Sequence, residues 1–288
     1  MKKFAVIDIG SNSVRLLFVA DGKVLYKSLN TTRLGEGLAN STSLLSIAIE
    51  RTAQAVADFY VKATQEGAEQ VVAFATAAVR TADNRQAFLD CVKAKCGLDI
   101  EVVSGEEEGE LGMLGALGGR DGAVIDVGGA STEIAVRTSG KTVYKKSLDI
   151  GVVRLKDGYG RNVAEIRARA ERAAKEYGVI PPVDTLYGIG GTATTLAAQY
   201  LQLDTYDSGK VTGTEIPVSA LKELADKLSA MSVEEIAALP CMPKGRADVI
   251  TGGAVLLATL LEKLGFTSLT VSDRDNLEGY AIKRGLMA

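Results

Sequence analysis

The feature that most restricts what this chain can fold into is a duplication. Asp8-Ile9-Gly10-Ser11-Asn12-Ser13 and Asp126-Val127-Gly128-Gly129-Ala130-Ser131-Thr132 are one device written twice. In each copy an apolar run ends on an aspartate, a glycine-bearing turn with hydroxyl side chains follows, and a second apolar run returns. Residues 3–9 alternate as a strand does, Val14 to Ala20 resumes the pattern, Asp21-Gly22-Lys23 has hairpin-turn chemistry, and 24–29 come back. The second half restarts the series with strands at 122–126, 132–137 and 143–148 and a turn at Ser139-Gly140-Lys141. Helical spacing falls at about 43–66, 84–95 and 106–118, then at about 151–156, 162–177, 191–201 and 245–264. Further strands are expected at 71–75, 100–103, 185–189 and 267–271, and a last helix at the C-terminus. Pro217 opens another helix, where its missing N–H does no harm. Two copies of a β-meander followed by strands and helices predict an α/β chain of two similar halves facing each other across a cleft. The expected division is 1–118 plus the C-terminal helix at about 275–288 for one half, and 119–274 for the other.

Composition narrows the chemistry. At 288 residues the chain can build two cores. It contains no histidine, which excludes the Ser-His-Asp triad, Cys-His pairs and His-ligated zinc. Acid–base work must then come from carboxylates, lysine, tyrosine or metal-bound water. Cys91, Cys96 and Cys241 form no C-x-x-C pair, so neither a disulfide framework nor a zinc site is expected, and a reducing, cytoplasmic setting is. No apolar run approaches the roughly 18 residues that cross a bilayer. The N-terminal apolar run ends at Asp8 without a small-residue cleavage site, so neither a membrane partner nor a signal peptide is expected. A net charge of −3 speaks against a nucleic-acid partner. It leaves room for a polyanionic small substrate, because arginines, backbone amides and a metal can offset the global sign locally.

The turns suit phosphate. Glycine lets backbone approach an anion, and a tight turn can aim several N–H groups at one point. Ser11, Ser13, Ser131 and Thr132 add hydroxyls, and Asp8 or Asp126 at a strand end can hold Mg²⁺ directly or through water. A third glycine-rich turn, Gly188-Ile189-Gly190-Gly191-Thr192-Ala193-Thr194, precedes a helix whose N-terminus is itself an anion site. One such turn alone is most simply a β-hairpin. Three in a repeated context point to phosphate.

These residues resemble the exopolyphosphatase / guanosine pentaphosphate phosphatase family, within the superfamily of sugar kinases, Hsp70 and actin. The resemblance runs through nearly the whole chain, in eight ordered blocks: 4–16; 75–80 with Asn84-Arg85; 104–108; 125–133; 151–155; 190–194; 246–250; and 271–274. It implies two actin-like (ribonuclease H-like) domains with mixed five-stranded sheets flanked by helices. It implies hydrolysis of terminal phosphoanhydride bonds of inorganic polyphosphate, of pppGpp to ppGpp, or of both, with Mg²⁺, by a homodimer. Glu108 matches the catalytic base that activates water. Asp126 and Glu133 match acidic residues that position Mg²⁺ and that water. Gly128, Gly129, Ser131, Ser11, Asn12 and Ser13 match the phosphate-holding turns, and Arg80 a basic residue near the phosphate chain.

Other readings stand beside these. Acidic residues at a helix start also suit the helix dipole, which is enough for Glu106 or Glu107. Arg80 and Arg85 are equally readable as solvated helix arginines, Arg154 and Arg274 as ion-pair partners between halves, and Asp273 and Glu278 as caps. The sequence departs from the family at Ala130, where a third glycine is usual, at Asp275-Asn276-Leu277 after Arg274, and at Thr212, where a histidine often stands. A non-catalytic (p)ppGpp sensor would use the same turns. An actin-like ATPase or small-molecule kinase would need an acceptor motif that is not visible.

Overall fold

The computed structural model describes residues 2–287; Met1 and Ala288, the outer ends of the predicted division, lie outside the described residues. The first sheet holds β1 (Lys3–Ile9), β2 (Ser13–Ala20), β3 (Lys23–Thr31), β4 (Gln70–Ala75) and β5 (Ile100–Val102), ordered β3-β2-β1-β4-β5. β1 to β3 are antiparallel, and β4 and β5 run parallel to β1. The second sheet repeats this with β6 (Gly122–Val127), β7 (Thr132–Thr138) and β8 (Lys141–Leu148) antiparallel, and β9 (Leu186–Ile189) and β11 (Ser268–Val271) parallel to β6. The duplication reaches the hairpins: Asp21 and Gly22 have φ of 48° and 74°, Ser139 and Gly140 of 52° and 73°. Left-handed conformation at both central residues marks the turn that matches strand twist.

Among the described residues the second sheet has six strands, not the expected five: the order β11-β9-β6-β7-β8 is extended by one strand beside β11. The addition is β10 (Glu215–Pro217), antiparallel to β11. A three-residue strand with only Ile216 buried has no period to read, and Pro217, lacking an N–H, belongs at an edge.

Outside the first sheet lie α1 (Ser46–Gln65) and α3 (Arg85–Cys96), with α2 (Ala77–Thr81) following β4. Between the sheets lies α4 (Gly105–Leu117). Outside the second sheet are α5 (Val152–Tyr159), α6 (Val163–Tyr177), α7 (Gly190–Tyr200), α9 (Val218–Ala230) and α11 (Ala247–Lys263), with short α8 (Ser208–Val211) and α10 (Val233–Ala237). Helices α2, α8 and α10 are too short to show a period and were not foreseen. The chain ends in α12 (Asn276–Lys283), also between the sheets. No helix among the described residues is long and apolar enough to cross a membrane.

Strand alternation sends the site residues inward. On β1, Ala5, Ile7 and Ile9 face α1 and α3, while Val6 faces α12. On β6, Ala123, Ile125 and Val127 face the outer helices and Val124 faces α4. A period of two therefore puts Asp8 and Asp126 on the faces that look toward the middle layer. There α4 packs on β6, β7 and β8, and α12 packs on β1, β2 and α4. The two helices cross almost backbone to backbone: a Cβ on Gly115 would lie 1.9 Å from Asp275 O, and one on Gly279 1.9 Å from Leu111 O.

Candidate active site

Each turn closes the same way, Gly10 N–H onto Ser13 O at 3.0 Å and Gly128 N–H onto Ser131 O at 3.0 Å. Further carbonyls of each turn are taken from outside. Thr32 and Arg33 N–H donate to Asn12 O at 3.1 and 2.9 Å, and Gly35 N–H to Ser11 O at 2.8 Å. At the second turn the start of α5 does this: Val152 N–H reaches Gly128 O at 2.9 Å and Val153 N–H reaches Gly129 O at 2.8 Å. A trans peptide points its C=O and N–H in opposite directions, so capture of the carbonyls turns the amides toward the cleft. Among the described residues the N–H groups of Asn12, Gly129, Ala130 and Ser131 donate to no protein acceptor. Converging free amides are an anion nest. The two turns touch, since a Cβ on Gly129 would lie 2.9 Å from Ser11 Cβ and 3.0 Å from Asn12 N. Ala130 lies outside the left-handed region, so alanine fits where the family has glycine.

Both turns line one cavity of about 390 Å³, and so does every residue predicted for the site except Arg80, Thr132 and Glu133. Thr132 instead donates its hydroxyl to Ile150 O at 2.6 Å, which ties the start of β7 to the chain before α5. Thr192 lines the cavity with its hydroxyl donated to Val127 O at 2.8 Å.

Glu108 is singled out from its acidic neighbours by the helix start. Ser104 caps α4, and Glu107 closes a capping box, its Oε2 accepting from Ser104 N–H at 2.9 Å. Glu106 reaches out to Lys145 at 3.1 Å. Glu108 turns inward, is buried, and lines the cavity. Arg80 is neither a solvated arginine nor a cavity wall: its Nη1 donates to Glu108 Oε2 at 2.9 Å and to Val103 O at 3.1 Å.

Asp8, Glu108, Asp126, Glu133 and Asp275 are buried carboxylates in this region. Burial raises Asp8 and Glu108 above the usual carboxylate range, Glu133 well above it, and Asp126 to about 8, with like charges adding to Asp126. Glu133 is the cross-strand partner of Asp126, and its Oε1 accepts from Ser147 Oγ at 2.7 Å. Arg15 offsets part of the charge, donating from Nε to Asp8 Oδ2 at 2.9 Å and pairing with Asp275. Despite burial, Arg15 and Lys27 hold Asp275 below the usual range.

Several cavity residues were not foreseen: Arg15, Lys27, Tyr206, Arg246, Asp275 and Asn276. Arg15 had a signal, because a tight turn at 10–13 places it opposite Asp8 in the antiparallel register. Arg246 arrives from the start of α11 and lies over the third turn, where a Cβ on Gly191 would sit 1.9 Å from its Nη1. Among the described residues its side chain has no hydrogen bond or ion pair. Burial, with repulsion from Arg15, brings its pKa down to about 10. Asn276 Nδ2 donates to Asp126 Oδ2 at 3.1 Å. Glu278 does act as a cap partner, its Oε2 accepting from Asp275 N–H at 3.0 Å, whereas Asp273 accepts from Tyr206 and Lys27.

The donor set suits a hard cation. Asp8 Oδ1, Glu133 Oε2 and Asn276 Oδ1 are buried without a hydrogen-bond partner. Among the described residues no three acidic side chains form a ready-made cage. Mg²⁺ takes one or two carboxylates and completes its octahedron with water and phosphate oxygens, which this set allows.

Comparison with known proteins identifies the family and the fold. Residues 18–284 match the Ppx/GppA phosphatase family. The chain is 34% identical to exopolyphosphatase 2 of Mycobacterium tuberculosis, over 98% of this chain and 98% of that one. A solved exopolyphosphatase-like protein superposes with a TM-score of 0.91 at 25% identity, covering 99% of each chain. The crystal structure of the Aquifex aeolicus Ppx/GppA family member superposes with a TM-score of 0.81 at 32% identity, over 99% of this chain and 98% of that one.

Proposed function

The chain belongs to the Ppx/GppA phosphatase family, and from that premise we propose that it releases the terminal phosphate of inorganic polyphosphate by attack of a water that Glu108 activates. The observation that carries this is the convergence, in one cavity, of turn amides and an Arg246 guanidinium that have no partner among the described residues, with the inward-facing Glu108. Phosphoryl transfer asks mainly for positioning and charge neutralisation. The amides of Gly129, Ala130 and Ser131 and the Arg246 guanidinium supply both for a chain-end phosphate. Glu108 accepts the proton as the water oxygen bonds to the terminal phosphorus and the bridging P–O bond breaks. Orthophosphate and a chain shorter by one unit leave. Arg80 fixes the direction of the base through Glu108 Oε2. Asp8 and Asp126, with the Glu133 oxygen behind them, would hold Mg²⁺, which supplies neutralisation of phosphate charge when bound.

A second substrate, pppGpp, is favoured by one feature: Leu29, Tyr206 and Pro243 give the cavity an apolar, partly aromatic wall on which a base can lie. The test is phosphate release from polyphosphates of defined length, pppGpp and ATP in parallel, with Mg²⁺. Glu108→Gln is expected to lower kcat by about 10²–10⁴, the usual worth of a positioned base, with substrate binding retained. A wild-type protein that binds polyphosphate and releases no phosphate from it removes the hydrolase reading and leaves a sensor.

A further inference from the structure

Among the described residues, Arg154 is the arginine at the cleft that spends its side chain on neutral oxygens from both halves. Its Nε donates to Ala130 O at 2.9 Å, its Nη1 to Leu38 O at 2.9 Å and its Nη2 to Thr81 Oγ1 at 3.3 Å. It makes no ion pair among the described residues, so the ion-pair reading of its sequence position does not hold. Ala130 belongs to the second phosphate turn, Leu38 to the segment after β3 whose amides hold the first turn, and Thr81 to α2, one residue from Arg80.

We propose that Arg154 is a positioning residue that aims the Ser131 N–H at the bound phosphate and ties that peptide to the helix carrying Arg80. The physical step is short. Ala130 C=O and Ser131 N–H share one peptide plane and point opposite ways. The backbone amides of Val152 and Val153 already hold the two preceding carbonyls, so Gly129 and Ala130 N–H are oriented without any side chain. The 130–131 peptide has no such backbone donor and depends on the guanidinium. Ser131 itself is buried, with no amide acceptor among the described residues. Arginine suits the task because its rigid fork serves three acceptors at once, which lysine's single ammonium cannot do in that geometry. Through Thr81 the same fork sets the spacing between the turn and α2, and so between the phosphate and Arg80-held Glu108.

The inference rests on the phosphate reading of the cavity, and its test separates the two. Inorganic tripolyphosphate is titrated into wild type, Arg154→Gln and Arg154→Lys, followed by calorimetry and by backbone amide shifts, with phosphate release from polyphosphate measured alongside. Wild type is expected to shift the Gly129, Ala130 and Ser131 amides together. In both variants the Ser131 shift is expected to be lost while those of Gly129 and Ala130 remain, with tripolyphosphate affinity about tenfold weaker, the worth of one hydrogen bond to a charged group. The melting temperature should fall by several degrees as these acceptors lose their donor, with the fold retained. Variants in which all three amides respond as in wild type, or both of which fail to fold, overturn the proposal. So does a wild type that does not bind tripolyphosphate. A wild type that shows the three shifts and releases no phosphate defeats the hydrolase reading alone and leaves Arg154 in its role.

Discussion

Removing the Arg246 charge should strengthen the free protein and weaken its grip on substrate. The guanidinium is held against Gly191 and, among the described residues, has no carboxylate to receive it, and burial with Arg15 repulsion lowers its pKa well below the ordinary arginine value, to about 10. At roughly 1.4 kcal/mol per unit this corresponds to about 3 kcal/mol set against folding. The sign follows from proton binding. From about pH 10 up to the ordinary arginine range the folded state binds fewer protons than the unfolded, so the penalty is complete below pH 10 and fades only above it. At neutral pH all of it is present. Arg246→Met keeps much of the aliphatic volume and drops the charge. A chain of this length melts about 2–4 °C higher per kcal/mol gained, so a rise of several degrees is expected by calorimetry without substrate. Hydrogen bonds from a charged group to phosphate are worth about 1.5–3 kcal/mol, so KM for polyphosphate should rise by roughly 10- to 150-fold. A variant that melts lower than wild type with KM unchanged would show that Arg246 is a packing residue, and the assignment of the third turn as an anion site would go with it.

Three further outcomes follow from the same contacts. Gly191→Ala puts a methyl 1.9 Å from Arg246 Nη1, the far end of a flexible side chain, so the protein should fold normally and show a raised KM in the same assay. Gly115→Ala puts a methyl 1.9 Å from backbone, the Asp275 carbonyl, which cannot swing away; a loss of about 3 kcal/mol or more is expected, seen as a lowered urea midpoint or insoluble protein. Glu107 lies below its usual value of 4.5 because its carboxylate accepts from the Ser104 amide. Its contribution is therefore complete above pH 4.5 and is lost as pH falls through the depressed value, so Glu107→Gln should flatten the acid limb of the melting-temperature profile.

Much of the architecture was legible because it is local and repeated. A strand ending in aspartate, a glycine turn and a returning strand each follow from a few adjacent residues, and finding the set twice implied a two-sided cleft. The strands and long helices fall within a few residues of their expected ranges. The elements that escaped, α2, α8, α10 and β10, are too short to carry a period. Within the site, the sequence-based division of Glu106-Glu107-Glu108 needed a resemblance; the structure explains it by the capping box, which occupies Glu107 and rotates Glu108 inward.

By itself, then, the sequence determined the duplicated turns, the two aspartates at the ends of their strands and the absence of imidazole chemistry, since these depend on residue type and near-neighbour geometry. Only the tertiary structure decided that Arg80 serves Glu108, that Glu133 and Thr132 stand behind the cavity wall, and that Arg246 and Asn276 enter it. Those facts depend on how α4, α11 and α12 cross the sheets. Side chains far apart in the chain meet there because small residues at Gly115 and Gly279 let two helices touch, and no local pattern records where a crossing will fall.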